Sequence, residues 1–197
     1  MELVNRHWAK AGGVIAVGIL VYIYLIEGSR MPLVQKFSLL SLAFLMFHQF
    51  EEYVYPGGFQ YYFNTRIYNP FGFFKSKISD KAVIWVNVVL GWGIYALVAI
   101  FFHENPVIVM TFVAVLLING VLHFGLAFSM RDYNPGVVTG AILFIPLAIY
   151  SATKLRDTGV MTMPEIIMVL PYAAGFSLLI PITIFVCREK KRSGSSS

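Results

Sequence analysis

The sequence predicts an all-α, polytopic membrane protein: a bundle of about six transmembrane helices forming one domain. Three observations carry that reading. The 197 residues are 58% hydrophobic and 13% charged, against about 25% charged in an ordinary soluble domain. The apolar residues collect in six stretches, over 12–27, 33–54, 82–102, 107–128, 136–153 and 165–187. Each is near the roughly 20 residues needed to cross a hydrocarbon core. Such a chain is not a soluble globular domain, a disordered chain or a disulfide-stapled module, and its lone Cys187 has no partner within the chain.

The first stretch follows Arg6 and Lys10, as a signal peptide would. No small-residue cleavage site follows it, and Tyr22, Tyr24 and Glu27 close it, so a retained helix is predicted. The second stretch ends on His48-Gln49-Phe50-Glu51-Glu52. Residues 53–74 then hold ten aromatics: Tyr53, Tyr55, Phe59, Tyr61, Tyr62, Phe63, Tyr68, Phe71, Phe73 and Phe74. Pro56, Gly57, Gly58 and Pro70 interrupt any long helix there. The segment reads as an interfacial aromatic belt, as a lip admitting an apolar substrate, or as both.

The third and fourth stretches are joined by His103-Glu104-Asn105-Pro106, which has no Lys or Arg. Arg131-Asp132-Tyr133-Asn134-Pro135-Gly136 joins the fourth to the fifth, and its Asn-Pro-Gly is a turn signal. Pro146, Pro171 and Pro181 predict kinks in the last two helices. The single domain covers 1–192, and the Ser-Gly-Ser-Ser-Ser at 193–197 reads as a disordered tail or an expression scar.

The net charge is +5, and its placement says more than its size. With both termini inside, cytoplasmic segments carry eleven basic residues: Arg6, Lys10, Arg66, Lys75, Lys77, Lys81, Arg131, Arg188, Lys190, Lys191 and Arg192. Outer segments carry four: Arg30, Lys36, Lys154 and Arg156. The bias predicts cytoplasmic N- and C-termini. No basic stripe crosses a helix face, so no nucleic-acid partner is expected.

Charge at mid-bilayer costs about 2.5–3.5 kcal/mol on insertion scales. Of ten acidic residues, only Glu51 and Glu52 lie away from helix ends and loops. His48 is one turn before them, i,i+3 from Glu51 and i,i+4 from Glu52, so a helix face presents an imidazole with a carboxylate. Asn119 and His123 are likewise i,i+4. At about 1.5 Å per residue, His48 and His123 sit roughly 8 Å inside the cytoplasmic boundary. The same topology brings Glu51, Glu52, Asn87 and Asn119 to that level. Asn119 and Asn87 also read as polar residues that bind helices together, and the loop with Tyr133 also reads as a plain connector.

At these residues the chain resembles the HXXEE-motif family of predicted integral membrane enzymes. The matching motifs are His48-Gln49-Phe50-Glu51-Glu52, Asn119-Gly120-Val121-Leu122-His123 and Tyr133-Asn134-Pro135-Gly136, in family order over roughly 40–150. The resemblance implies an enzyme of unestablished activity and supplies no substrate.

Three chemistries stay open. In a metal-dependent hydrolase, zinc first, His48, His123 and one or both of Glu51 and Glu52 are ligands. A remaining carboxylate is then the base, and Asn119 or Tyr133 steadies an oxyanion. The same donors suit iron or a di-metal centre. A metal-free hydrolase is similar to the glutamate-type proteases of prenylated proteins, although Pro56 stands where their Glu-Glu-x-x-x-Arg pattern needs Arg. The third is a proton- or ion-coupled transporter or binding protein. Access from the bilayer and the aromatic lip point to a lipid-like or lipidated substrate among the membrane lipids, and the oligomeric state is left open.

Overall fold

The computed structural model describes residues 2–26, 31–69, 72 and 74–188. Expectations attached to Glu27, Arg30, Pro70, Phe71, Phe73, Lys190, Lys191, Arg192 and residues 193–197 lie outside the described residues. The protein is 81% helical, with no strand among the described residues. Among the described residues six helices are long and apolar enough to cross a membrane: His7–Ile26, Leu33–Tyr53, Asp80–Phe101, Pro106–Met130, Val137–Asp157 and Met163–Val186. They are named the first to sixth spans below. The chain is thus an integral membrane protein by length and composition of its helices. An even number of spans puts the start of the first and the end of the sixth on one side, the near face.

Local chemistry sets the helix ends. Ser79 Oγ accepts from the Ala82 N–H at 3.2 Å and starts the third span two residues before the apolar stretch. Asn105 Oδ1 accepts from the Ile108 N–H at 3.1 Å, with Pro106 in the first turn of the fourth. Thr162 and Glu165 form a capping box at the sixth. The first helix begins at Glu2, well before the apolar stretch, because Trp8 and Ala9 are buried against the bundle.

The aromatic segment divides. Phe59–Tyr62, continued by Phe63–Ile67, forms a short helix across the near face. Tyr62 and Phe63 are buried, while Tyr55 and Tyr61 point outward as belt residues do. Asn64 pins the segment by accepting from the Ile78 N–H at 2.7 Å and donating to the Ile78 carbonyl at 3.0 Å.

Among the described residues three stretches widen to i→i+5 hydrogen bonding: Phe63–Ile67, Trp85–Gly93 and Gly140–Phe144. Such π-helical turns are rare and gather at functional sites. Pro146 follows the last of them, Pro171 lies inside an unbroken helix, and the sixth span is interrupted at Leu178, one turn before Pro181. Its first half packs along the fourth span; its second half turns to the third.

The core between the spans is held by Phe37, Val109, Val113, Leu116, Phe144 and Val169, all nearly fully buried. The fourth and fifth spans cross closely, where a Cβ on Gly120 would lie 3.0 Å from the Gly140 carbonyl oxygen. Helices in lipid approach this closely only through small residues. That crossing carries the first turn of the fifth span against the second and fourth.

Candidate metal centre

The second span presents His48 and Glu52 on one face, and the fourth presents His123 opposite them. Glu52 Oε1 lies 3.6 Å from His48 Nε2 and 3.4 Å from His123 Nε2. The two imidazoles stand edge to face with centroids 4.8 Å apart. All three residues are buried, and one ligand atom from each lies within 4.8 Å of the others.

The adjacent Glu51 does something else. Its Oε1 accepts from the Val138 N–H at 3.1 Å and the Tyr133 hydroxyl at 2.7 Å. Its Oε2 accepts from the Thr139 N–H at 2.7 Å and from the Thr139 hydroxyl. Four donors occupy this carboxylate, so it receives the unpaired amides at the start of the fifth span.

The contacts at Nδ1 place a hydrogen on that nitrogen of each imidazole. A hydroxyl has one proton to give, and Thr139 gives it to Glu51. Toward His48 Nδ1, 2.9 Å away, Thr139 Oγ1 is therefore an acceptor, and Nδ1 carries the hydrogen. Asn134 Nδ2 donates to the His123 carbonyl at 3.2 Å, which turns Oδ1 toward His123 Nδ1, also at 3.2 Å. That nitrogen too carries its hydrogen. In their neutral form both rings therefore turn Nε2 lone pairs toward Glu52, and His48 Nε2 has no hydrogen-bond partner. In that form three electron-pair donors face one another, an arrangement that a cation in their midst would stabilise.

The donor set fits a metal. Ligands at about 2.0–2.2 Å around a tetrahedral ion stand roughly 3.4 Å apart, close to both Glu–His separations. Each histidine is also oriented through its other nitrogen, as metal-bound histidines are. Three protein donors leave a fourth position open.

The loop after the fourth span completes the enclosure. Gly136 has φ 102°, and a Cβ there would meet His48 Cε1 and His123 Cε1, each at 2.7 Å. Only glycine fits both the backbone and the space. Burial and the bond to Glu51 push the Tyr133 phenol well above its ordinary pKa. Arg66 meets Asp132 at 3.4 Å and Tyr62 donates to Met130 Sδ at 3.2 Å, tying the aromatic helix to this loop. Burial and the Asp132 carboxylate raise the Tyr62 phenol, against the opposing Arg66 charge.

A cavity of about 460 Å³ opens beside the centre. Glu52, His123, Asn119, Asn87, Tyr53 and Ser177 supply its polar groups and the rest of its wall is mainly apolar. Asn119 Oδ1 is buried and unpartnered. Asn87 is fully used: its Nδ2 donates to Tyr53 Oη at 3.2 Å and to the Val83 carbonyl at 2.9 Å. Its own Oδ1 accepts from Gln49 Nε2 at 3.2 Å. Phe59 lies over His123 with ring centroids 5.3 Å apart.

Over residues 39–151 the chain matches the family described as a protein of unknown function with HXXEE motif. The chain belongs to this family. No curated protein and no solved structure matches it. In this HXXEE protein the motif's five residues face different neighbours. His48 and Glu52 face the centre, Glu51 the fifth span, Gln49 the third span, and Phe50 the first span at Gly13.

The expected residues are thus brought together unequally. His48, Glu52 and His123 form the group. Glu51 stands outside it with both oxygens engaged, which leaves it neither a ligand in this group nor a free base. Tyr133 gives its proton to Glu51, so it is no free oxyanion donor. Asn119 lines the cavity, and Asn87 lines it while pairing helices. Sequence reasoning missed Thr139, which no motif flagged. Asn134 and Gly136 are legible in the sequence as part of the Tyr133-Asn134-Pro135-Gly136 motif and its turn, but not as the residues that orient and enclose the histidines.

Proposed function

We infer that the protein is an integral membrane enzyme: a metal-dependent hydrolase, with zinc as the metal, acting on a lipid or lipidated substrate. The near face is the cytoplasmic one on this reading, because it carries the excess of Lys and Arg. One observation carries the proposal: the Nε2 atoms of His48 and His123 converge on Glu52 Oε1, at 3.6 Å and 3.4 Å. Two imidazoles and one carboxylate are the donors of many zinc hydrolases. The three-donor group, with Glu51 engaged elsewhere, favours one ion over a di-metal centre.

Bound there, a divalent ion supplies Lewis acidity and brings a water's pKa toward about 7. The chain does the rest. Thr139 with Glu51, and Asn134, hold the two rings in the tautomer that offers Nε2. Gly136 and Phe59 close over the rings and exclude bulk water. Asn119 Oδ1 is placed to accept a hydrogen bond from a bound molecule, and the apolar wall holds a substrate's hydrocarbon part.

The test is elemental analysis of the purified protein beside His48→Ala, Glu52→Gln and Glu51→Gln. Near-stoichiometric zinc in the wild type, lost in the first two and kept in the third, supports the reading. A wild type that contains no zinc and refuses it when offered overturns the metal and turns attention to a metal-free Glu/His hydrolase.

A further inference from the structure

We propose that the cavity holds one hydrocarbon chain of a membrane lipid, entering sideways between the fourth and sixth spans, with a head that offers an N–H or O–H to Asn119. The inference rests on the lipid-directed reading of the site and names the ligand class: a single-chain lipid amide or alcohol.

The shape comes first. The cavity volume of about 460 Å³ falls within the roughly 300–1,000 Å³ of small-molecule sites. Along the fourth span its lining runs from Val115 to Leu126, about 16 Å at 1.5 Å per residue. That is near the ~15 Å depth of one leaflet, half of a ~30 Å core.

The mouth comes second. Leu122 and Leu178 line the cavity and are also 59% and 51% exposed, so the chamber reaches the lipid-facing surface between them. Each lies eight residues before the end of its span, at Met130 and Val186, so both stand about 12 Å below the near face. The sixth span is interrupted at Leu178, and its second half swings from the fourth span to the third. The mouth is therefore a consequence of that interruption. Ser177, the polar residue there, spends its hydroxyl on the Ala173 carbonyl at 2.8 Å. An apolar mouth at acyl-chain depth admits hydrocarbon and gives water no partner.

The head comes third. Asn119 Oδ1 lies in the cavity, buried and without a donor, one turn from His123. A ligand carrying an N–H or O–H satisfies it; an ester, which has neither, does not.

The experiment is native mass spectrometry of detergent-purified protein with added oleamide, oleyl alcohol or methyl oleate. Metal content is read on the same samples. We expect one oleamide or oleyl alcohol per chain and at least tenfold weaker methyl oleate. Asn119→Leu should bring the three to equal affinity, and Leu122→Trp or Leu178→Trp should abolish binding of all three while thermal stability persists. Oleamide binding without oleyl alcohol, or the reverse, assigns the donor to the amide or to the hydroxyl and keeps the proposal. Equal binding of the three by wild type overturns the role of Asn119, and unchanged binding in both Trp variants overturns the mouth. Protein that holds its metal but takes no chain sinks this inference alone; protein that takes the chain but holds no metal sinks the metal reading alone.

Discussion

Thr139 Oγ1 lies 2.9 Å from His48 Nδ1, and its own proton is already given to Glu51. One hydroxyl thereby links a carboxylate on the second span to an imidazole one turn away. The link passes through a residue 91 positions later in the chain. It leaves Nε2 of the neutral His48 ring as its electron-pair donor.

Removing that link should weaken metal binding without emptying the site by other means. Loss of a group that orients a ligand histidine typically costs 10–100-fold in affinity. Thr139→Val is expected to fall in that range and Thr139→Ser to stay near wild type, in a titration against a competing chelator. Equal affinity for the Val variant would show that His48 finds its tautomer unaided.

Glu51 and Glu52 should fail differently. Glu52→Gln is expected to lose the metal and keep its fold. Glu51→Gln is expected to keep metal stoichiometry and lose stability, because hydrogen bonds to a charged group are worth about 1.5–3 kcal/mol each. At about 2–4 °C per kcal/mol for a chain of this size, even one lost bond lowers Tm by several degrees. Thermal unfolding and metal analysis on the same pair of variants decide it, and a reversed pattern would exchange the two roles.

Gly136 admits no side chain. Gly136→Ala places a Cβ 2.7 Å from both imidazole Cε1 atoms at a φ of 102°. Rings or loop must then shift. The variant is expected to lose at least tenfold in metal affinity and to be less stable, whereas Gly125→Ala, with nothing within 4 Å of the added Cβ, should behave as wild type. A metal-competent Gly136→Ala would contradict this packing.

Tyr133 gives the protein an alkaline edge. Burial and the bond to Glu51 raise its pKa above the ordinary value of about 10. The folded state therefore holds the phenol proton more tightly than the unfolded chain does. That stabilisation is whole below about pH 10 and is lost as pH rises toward the higher folded value. Thermal unfolding of wild type and Tyr133→Phe, compared between pH 8 and 11, should show the wild-type advantage shrinking as pH rises. An advantage that grew with pH would mean the phenol is not held neutral by Glu51.

Much of this protein is determined by the sequence alone. A bilayer forces each spanning backbone to satisfy itself within a helix, so six apolar stretches state six spans. The same rule makes an intramembrane His48-x-x-Glu51-Glu52 costly, and so conspicuous, and the count of spans brings His123 to its level. What only the tertiary structure decided is the division of labour. Residues 51 and 52 are about 100° apart around the helix axis, so they face different neighbours, and the neighbours come from elsewhere in the chain. The Gly120–Gly140 crossing draws the fifth span in, hands Glu51 its amides and brings Thr139 to His48. Helical spacing places a side chain on a face; which partner waits on that face is set by how the helices cross, and that is a property of packing across the bundle.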